Sequence, residues 1–238
     1  AKRFVDRFAL SPEQLKELSA YARSKELAFS STPYAEEEVD FLLEECCAPF
    51  LKIASMELDH LDFLSYIGRK KVPLVLSTGM GTMEEIRRAV QILERAGTEQ
   101  MTLLHCVSIY PTQVETLNLR NILGLRKEFP QYPIGFSDHT EGDAAAIAAV
   151  ALGAALVEKH LTLDRTKVGM DNGMATEPES FRQMVASCRM VQEGLGIEER
   201  IVYPEEMKQR RKMRRSVIVI KDFPAGHVLR AEDLYAKR

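Results

Sequence analysis

The sequence predicts an α/β fold, a (β/α)8 TIM barrel lacking its first two strands, followed by the start of a second small domain. Three observations point there. Short β-rich apolar runs alternate strictly with stretches of helical periodicity, the pattern of a parallel sheet covered by helices. Parallel sheets of this kind are buried on both faces, and the runs are apolar enough for that. Nearly every run ends in reactive side chains: Ser31-Thr32-Pro33, Lys52-Ile53-Ala54-Ser55, Ser77-Thr78-Gly79-Met80, His105-Cys106-Val107-Ser108, Ser137-Asp138-His139 and Glu158-Lys159-His160. The alternation alone also fits an open doubly wound sheet, which gathers its ligand groups at one switch point. A barrel converges all its strand ends on one rim, so the third observation selects it.

The elements follow in order. Ser11-Pro12-Glu13 predicts a helix start, with serine as N-cap, proline at the first position and an acid in the first turn. Leu15, Leu18 and Tyr21 or Ala22 form its expected apolar stripe. Six strands are expected at 27–31, 51–54, 73–77, 101–107, 133–137 and 156–160. Helices are expected near 35–46, 58–67, 83–95, 119–129, 142–152 and 178–194. The chain opens on Ala1 with a polar, helix-like stretch. Six strands do not close a barrel of eight, so two more are expected to precede it. The expected division is a barrel catalytic domain (strands 3–8) over 1–197, a charged linker helix over 198–215, and the beginning of another domain over 216–238. That last piece is too short to bury a core of its own.

Composition narrows the function. The 238 residues are 45% hydrophobic, enough for one sizeable core. A net charge of −3 gives no electrostatic case for nucleic acid or an anionic membrane. No apolar run is long enough for a bilayer span and no signal peptide is visible. Cys46, Cys47, Cys106 and Cys188 lack zinc-ligand or redox-pair spacing, so they read as reduced thiols of a cytoplasmic protein.

The strand ends carry the chemistry. Side chains alternate along a strand, so Ser137 and His139 share a direction, as do Glu158 and His160. Two imidazoles at neighbouring strand ends suit one divalent metal, leaving positions for water and substrate oxygens. Asp138 and Glu158 beside them weigh against two unrelated hydrogen-bonded histidines. A lysine inside an apolar strand, Lys52, needs an anion, either a ligand or a core carboxylate. Ser55, Ser77 and the accessible backbone of Gly79 and Gly81 before a helix would cradle a phosphate. Tyr110 suits stacking on a sugar or plain packing. Asp171 and Asn172 on a late loop could hold hydroxyls or only water. His105 reads as a satisfied core histidine, and His60 and His227 as peripheral.

These strings together resemble the N-acetylneuraminate (sialic acid) synthase family and its relatives that make other nine-carbon sugar acids. The matching set, in order, is Ser31-Thr32-Pro33, Lys52-Ile53-Ala54-Ser55, Leu76-Ser77-Thr78-Gly79-Met80, Leu104-His105-Cys106, Ile109-Tyr110-Pro111-Thr112, Gly135-Phe136-Ser137-Asp138-His139-Thr140, Glu158-Lys159-His160 and Asp164-Arg165. Arg215-Ser216 and Lys221-Asp222 with Gly226 look like the entry to that family's C-terminal antifreeze-like (SAF) domain.

The resemblance implies a barrel that condenses phosphoenolpyruvate with an N-acetylhexosamine and releases phosphate. It implies His139 and His160 as ligands of Mn²⁺ or Mg²⁺. Thr32, Lys52, Ser55, Ser77 and Ser137 would hold phosphoenolpyruvate. Glu57, Ser108, Tyr110 and Asp171 would face the sugar, and Glu158 would sit by the reacting carbons. It also implies a homodimer in full-length form. Four features depart from the family, the first being that most of the antifreeze-like domain is absent. The opening strands with a Glu-Ala-Gly turn and a second lysine are absent, Ser108 stands where several members carry asparagine, and the loop over 169–174 differs from Gly-Pro-Asp-His. The chain as given is therefore expected to be inactive or poorly active, and the full-length protein a synthase. Two other readings stand beside this one: a Schiff-base aldolase using Lys52 or Lys159, and a catalytically silent barrel serving in polysaccharide assembly.

Overall fold

The computed structural model describes residues 7–238, so part of the expected polar opening stretch, 1–6, lies outside the described residues. The chain divides into two compact units, one ending at Leu195 and the other running from Gly196 to Arg238.

The first unit alternates helix and strand. Helix α1 (Pro12–Ser24) starts as expected: Gln14 N–H donates to Ser11 Oγ, and Ser11 N–H donates back to the Gln14 side chain. Its buried face differs from the expected stripe. Leu15 packs on the core, but Leu18 and Tyr21 are exposed, and buried Ser19 donates instead to the Cys46 carbonyl. Leu15 and Ser19, four residues apart, share the face that meets the core, while Leu18 stays exposed. Next come α2 (Glu36–Glu44), β1 (Leu51–Ile53), α3 (Leu61–Arg69), β2 (Leu74–Ser77) and α4 (Met83–Ala96). Then follow β3 (Met101–Cys106), α5 (Val114–Leu117), α6 (Asn121–Glu128), β4 (Ile134–Asp138), α7 (Ala144–Ala151), β5 (Val157–Lys159) and α8 (Pro178–Leu195). Helix α4 shows how sequence dictates an element. A Thr82–Glu85 capping box opens it, Gly97 closes it at φ +116°, and Ile86, Ala89, Val90 and Leu93 line one buried face.

The strands form one parallel sheet in the order β1-β2-β3-β4-β5. Leu51, Ile53, Leu74, Leu76, Leu103, Ile134 and Phe136 are buried with Leu64 and Ile67 of α3, Leu93 of α4 and Ile122 of α6 in one core. Each such side chain contributes about 1.5–3 kcal/mol. The sheet is curled. Lys52 on β1 and Glu158 on β5 stand at opposite edges, yet Lys52 Nζ lies 3.4 Å from Glu158 Oε2. Four interstrand steps would separate flat edges by about 19 Å, beyond what two side chains span. The sheet is half a barrel, with these groups meeting across its concave face.

One expected strand is absent. Residues 27–31 join no ladder. Ser30 Oγ donates to the Phe50 carbonyl at 2.7 Å, taking an acceptor next to β1 that a ladder N–H would otherwise use. The short α5 was not foreseen either.

His105 is the satisfied core histidine expected. It is 4% exposed, stacks on Phe136, and its Nε2 donates to the Leu117 carbonyl at 2.8 Å. Burial pushes its pKa below the ordinary 6.5 more than that hydrogen bond raises it. A depressed folded-state pKa contributes stability that is fully present above pH 6.5 and lost as pH falls through the folded value. Urea denaturation of the parent and His105→Gln is therefore expected to show a steeper acid-side loss in the parent. Parallel curves would contradict the assignment.

In the second unit, α9 (Pro204–Met213) precedes two antiparallel strands, β6 (Ser216–Val219) and β7 (Leu234–Lys237). Every residue of both strands is exposed, so this ribbon buries no core. His227 Nε2 pairs with Asp233 Oδ2 at 2.8 Å and stacks on Phe223. Among the described residues all four cysteines are free, and no helix is long and apolar enough to cross a membrane.

Candidate active site

Three groups of side chains gather at the C-terminal ends of the strands. The first spans the half-barrel. Besides its contact with Lys52, Glu158 accepts a hydrogen bond from Ser137 Oγ on Oε1 at 2.7 Å. Ser137 and Glu158 are register partners on β4 and β5, so strand alternation sends both to the concave face.

The second group surrounds Gly79. Its N–H donates to Ser55 Oγ at 2.9 Å, and Cys106 Sγ lies 3.7 Å from Ser55 Oγ and 3.8 Å from Ser108 Oγ. A Cβ at Gly79 would sit 2.9 Å from Ser55 Oγ and 3.0 Å from Cys106 Sγ, and closer still to Ser108 Oγ. Gly79→Ala is accordingly expected to displace Ser55 and Ser108 and to cut turnover by about tenfold or more, since misplacing catalytic groups by an ångström costs up to about a hundredfold. Steady-state kinetics beside a thermal melt would check it, and unchanged turnover would refute the crowding argument. Ser77, two residues earlier, is 2% exposed, and its hydroxyl has no hydrogen-bond partner among the described residues. An orphaned buried hydroxyl at a strand end suits a bound anion.

The third group holds the histidines. His139 and His160 stand with ring centroids 5.3 Å apart, and Tyr110 lies 4.2 Å from His139 and 6.0 Å from His160. His139 Nδ1 donates to the Val107 carbonyl at 2.9 Å. A carbonyl only accepts, so this bond fixes the proton on Nδ1 and leaves metal binding to Nε2. His160 Nδ1 lies 3.9 Å from Asp171 Oδ2. His139 thus has the oxygen acceptor on its second ring nitrogen that metal-binding histidines carry. Among the described residues no cluster of three or more His, Cys, Asp or Glu side chains could hold a metal. The pair of imidazoles with centroids 5.3 Å apart is the set that could hold an ion, with other positions left to water and substrate oxygens.

The electrostatics link these groups. Burial pushes the Cys106 thiol up, but hydrogen bonds from His139 and Ser55 outweigh it and hold the thiol below its usual range. Burial likewise pushes His139 down, while Cys106 and the Val107 carbonyl lift it above its ordinary value. His160 moves the other way, lowered by burial and by the neighbouring His139. Two imidazoles this close do not both charge readily.

Other expected site residues lie outside these three groups. Glu57 pairs with His60 Nδ1 at 2.9 Å. Thr32 lines a cavity of about 490 Å³ with Leu10, Ser31 and Tyr34. Asp138 does not join the histidines. It alternates with Ser137 and His139, so it faces the reverse side, where Oδ2 meets Lys159 Nζ at 2.8 Å with both side chains essentially unexposed. Lys159 also donates to the Thr140 carbonyl, which leaves it unsuited as a free amine nucleophile. The reading from residue types missed Cys106 as a site group, although strand alternation held the signal: Cys106 is in register with Ser137, and Ser137 with Glu158.

Asp171 sits on a loop closed at its base. Thr176 N–H donates to the His160 carbonyl and Thr162 N–H to the Thr176 carbonyl. Arg165 Nε donates to the Gly173 carbonyl at 2.9 Å, and its N–H to Glu177.

Comparison with known proteins gives consistent matches. The model of the NeuB family matches residues 2–200. The N-acetylneuraminate-9-phosphate synthase of Mus musculus is 37% identical over 227 residues, covering 95% of this chain and 63% of that protein. The N,N'-diacetyllegionaminic acid synthase of Campylobacter jejuni is 34% identical over 236 residues, covering 98% and 70%. The crystal structure of the N-acetylneuraminic acid synthetase of Leptospira borgpetersenii, in complex with citrate, superposes with a TM-score of 0.81 at 29% identity, covering 89% and 74%. The chain spans about two thirds of the length of the curated relatives it matches.

Proposed function

This chain belongs to the NeuB family, and from that premise we propose that it condenses phosphoenolpyruvate with an N-acetylhexosamine, such as N-acetylmannosamine or a related acyl-amino sugar, to a nine-carbon sugar acid and phosphate. The observation that carries the reading is the Lys52–Glu158–Ser137 group spanning the concave face. It sets a cation and a carboxylate side by side, and Glu158 shares its strand end with His160.

Each residue then has a task. The Lys52 ammonium, with the hydroxyls of Ser55, Ser77 and Ser137, holds the phosphate and carboxylate of phosphoenolpyruvate, and Thr32 is proposed as a further contact to it. Ser108, Tyr110 and Asp171 position the sugar, with Glu57 on its periphery. A divalent ion, Mn²⁺ or Mg²⁺, held by His139 and His160 supplies Lewis-acid polarisation of the sugar aldehyde when bound. The enol methylene carbon of phosphoenolpyruvate forms the new carbon–carbon bond with the aldehyde carbon; the aldehyde π pair passes to its oxygen, which takes a proton from solvent to become a hydroxyl, and positive charge is left on the neighbouring carbon. Glu158 Oε2 takes the proton of the water that adds to the neighbouring, phosphate-bearing carbon. The tetrahedral intermediate then expels phosphate, whose charge Lys52 stabilises.

The wider proposal is a cytoplasmic homodimer, with 216–238 opening an antifreeze-like domain and no nucleic-acid or membrane partner. The test is phosphate release from phosphoenolpyruvate by the whole protein, across a panel of N-acetylhexosamines, with and without Mn²⁺. Release that requires sugar and metal together supports the reading and names the acceptor. Release that needs sugar but not metal would remove the metal from the reading, and borohydride trapping of a carbonyl substrate on Lys52 would replace the reading with the aldolase one.

A further inference from the structure

We propose that Asp138 and Lys159 are positioning residues for His139 and His160, setting the separation of the two imidazoles from the reverse face of the sheet. The inference rests on the reading of those histidines as a metal-binding pair.

The register carries it. Asp138 and Lys159 are partners across β4 and β5, and the preceding partners are Ser137 and Glu158 on the concave face. The next residues on each strand are His139 and His160. The reverse-face pair thus lies between the two front-face pairs, and a one-residue slip would turn every one of these groups to the wrong side. The pair is tied to more than itself. Asp138 Oδ1 accepts from Thr140 N–H at 2.8 Å and from Thr140 Oγ1 at 2.7 Å, while Lys159 Nζ donates to the Thr140 carbonyl at 2.5 Å. One carboxylate and one ammonium therefore fix β4 to β5 and also fix the turn that follows His139.

Stability alone does not explain the pair. A buried ion pair is costly to desolvate, and a well-packed apolar pair of similar volume commonly equals or exceeds it. This sheet uses that apolar solution one and two pleats earlier on the same strand and face, at Phe136 and Ile134. It changes to charge only where the opposite face bears the histidines. Apolar packing tolerates small displacements that directional hydrogen bonds do not, so a charged pair here specifies position.

The test is the double variant Asp138→Val/Lys159→Met, with Mn²⁺ alone as the probe, its binding followed by calorimetry or electron paramagnetic resonance. The variant is expected to remain folded while Mn²⁺ affinity falls about tenfold or more, the range seen when groups supporting metal-binding histidines are removed. A folded double variant with parental Mn²⁺ affinity overturns the inference and leaves the metal reading intact. A parent protein that binds no Mn²⁺ overturns both. If the double variant does not fold, Lys159→Arg serves. It keeps the charge but replaces a compact head with a planar fork. It is expected to fold and to shift Mn²⁺ affinity severalfold, and an unchanged affinity refutes the positioning role.

Discussion

Replacing Lys52 with alanine is expected to lower kcat/KM for phosphoenolpyruvate by about a hundredfold to a thousandfold, the usual cost of removing one group that stabilises developing charge in a water-poor site. Lys52 is an ammonium on the concave face, with a side chain only 14% exposed. Its loss leaves Glu158 held by the Ser137 hydroxyl. The variant should lose both affinity for phosphoenolpyruvate and the rate of phosphate expulsion, so KM rises while kcat falls. Lys52→Arg should recover only part of the loss, because a forked guanidinium does not reproduce a point charge in a confined space. Parental kcat/KM in Lys52→Ala would remove Lys52 from the machinery.

The largest expected effect on stability is at Asp138. Asp138→Ala leaves the Lys159 ammonium buried, with only the Thr140 carbonyl facing it, and frees the Thr140 N–H and hydroxyl of their acceptor. Breaking one side of a buried pair costs about 3–5 kcal/mol, much of a typical domain's margin. Urea midpoints of parent and variant give the value directly. The neutral double variant should recover most of the loss, since additivity fails for groups in one network. A single variant within about 1 kcal/mol of the parent would show that water or a rearranged neighbour satisfies Lys159.

Much of this molecule was legible in its residues. The alternation of apolar runs and helical periodicity placed five strands and the main helices within a few residues, because capping serines and threonines, Gly97 and the apolar faces all act locally. The strand at 27–31 failed because a strand exists only with a ladder partner, which composition does not reveal. Strand alternation correctly grouped Ser137 with His139 and Glu158 with His160, and the same rule should have turned Asp138 away. Spacing to other cysteines carries no sign of the place of Cys106 at the site; its register with Ser137 does. Curvature was inferred from the crowd of polar strand ends, and the ion pair between opposite edges supplies its geometric counterpart.

The loop bearing Asp171 leaves and rejoins the barrel at nearly one point, where His160 and Thr176 are hydrogen-bonded, and Arg165 ties its interior together. A segment anchored in this way behaves as a replaceable cassette. Its interior can be rewritten, or exchanged with that of a relative, while the anchors and the strands beneath keep their registration. Whatever side chains this loop displays can thus be altered through one short stretch of chain, without renegotiating the packed scaffold that supports it.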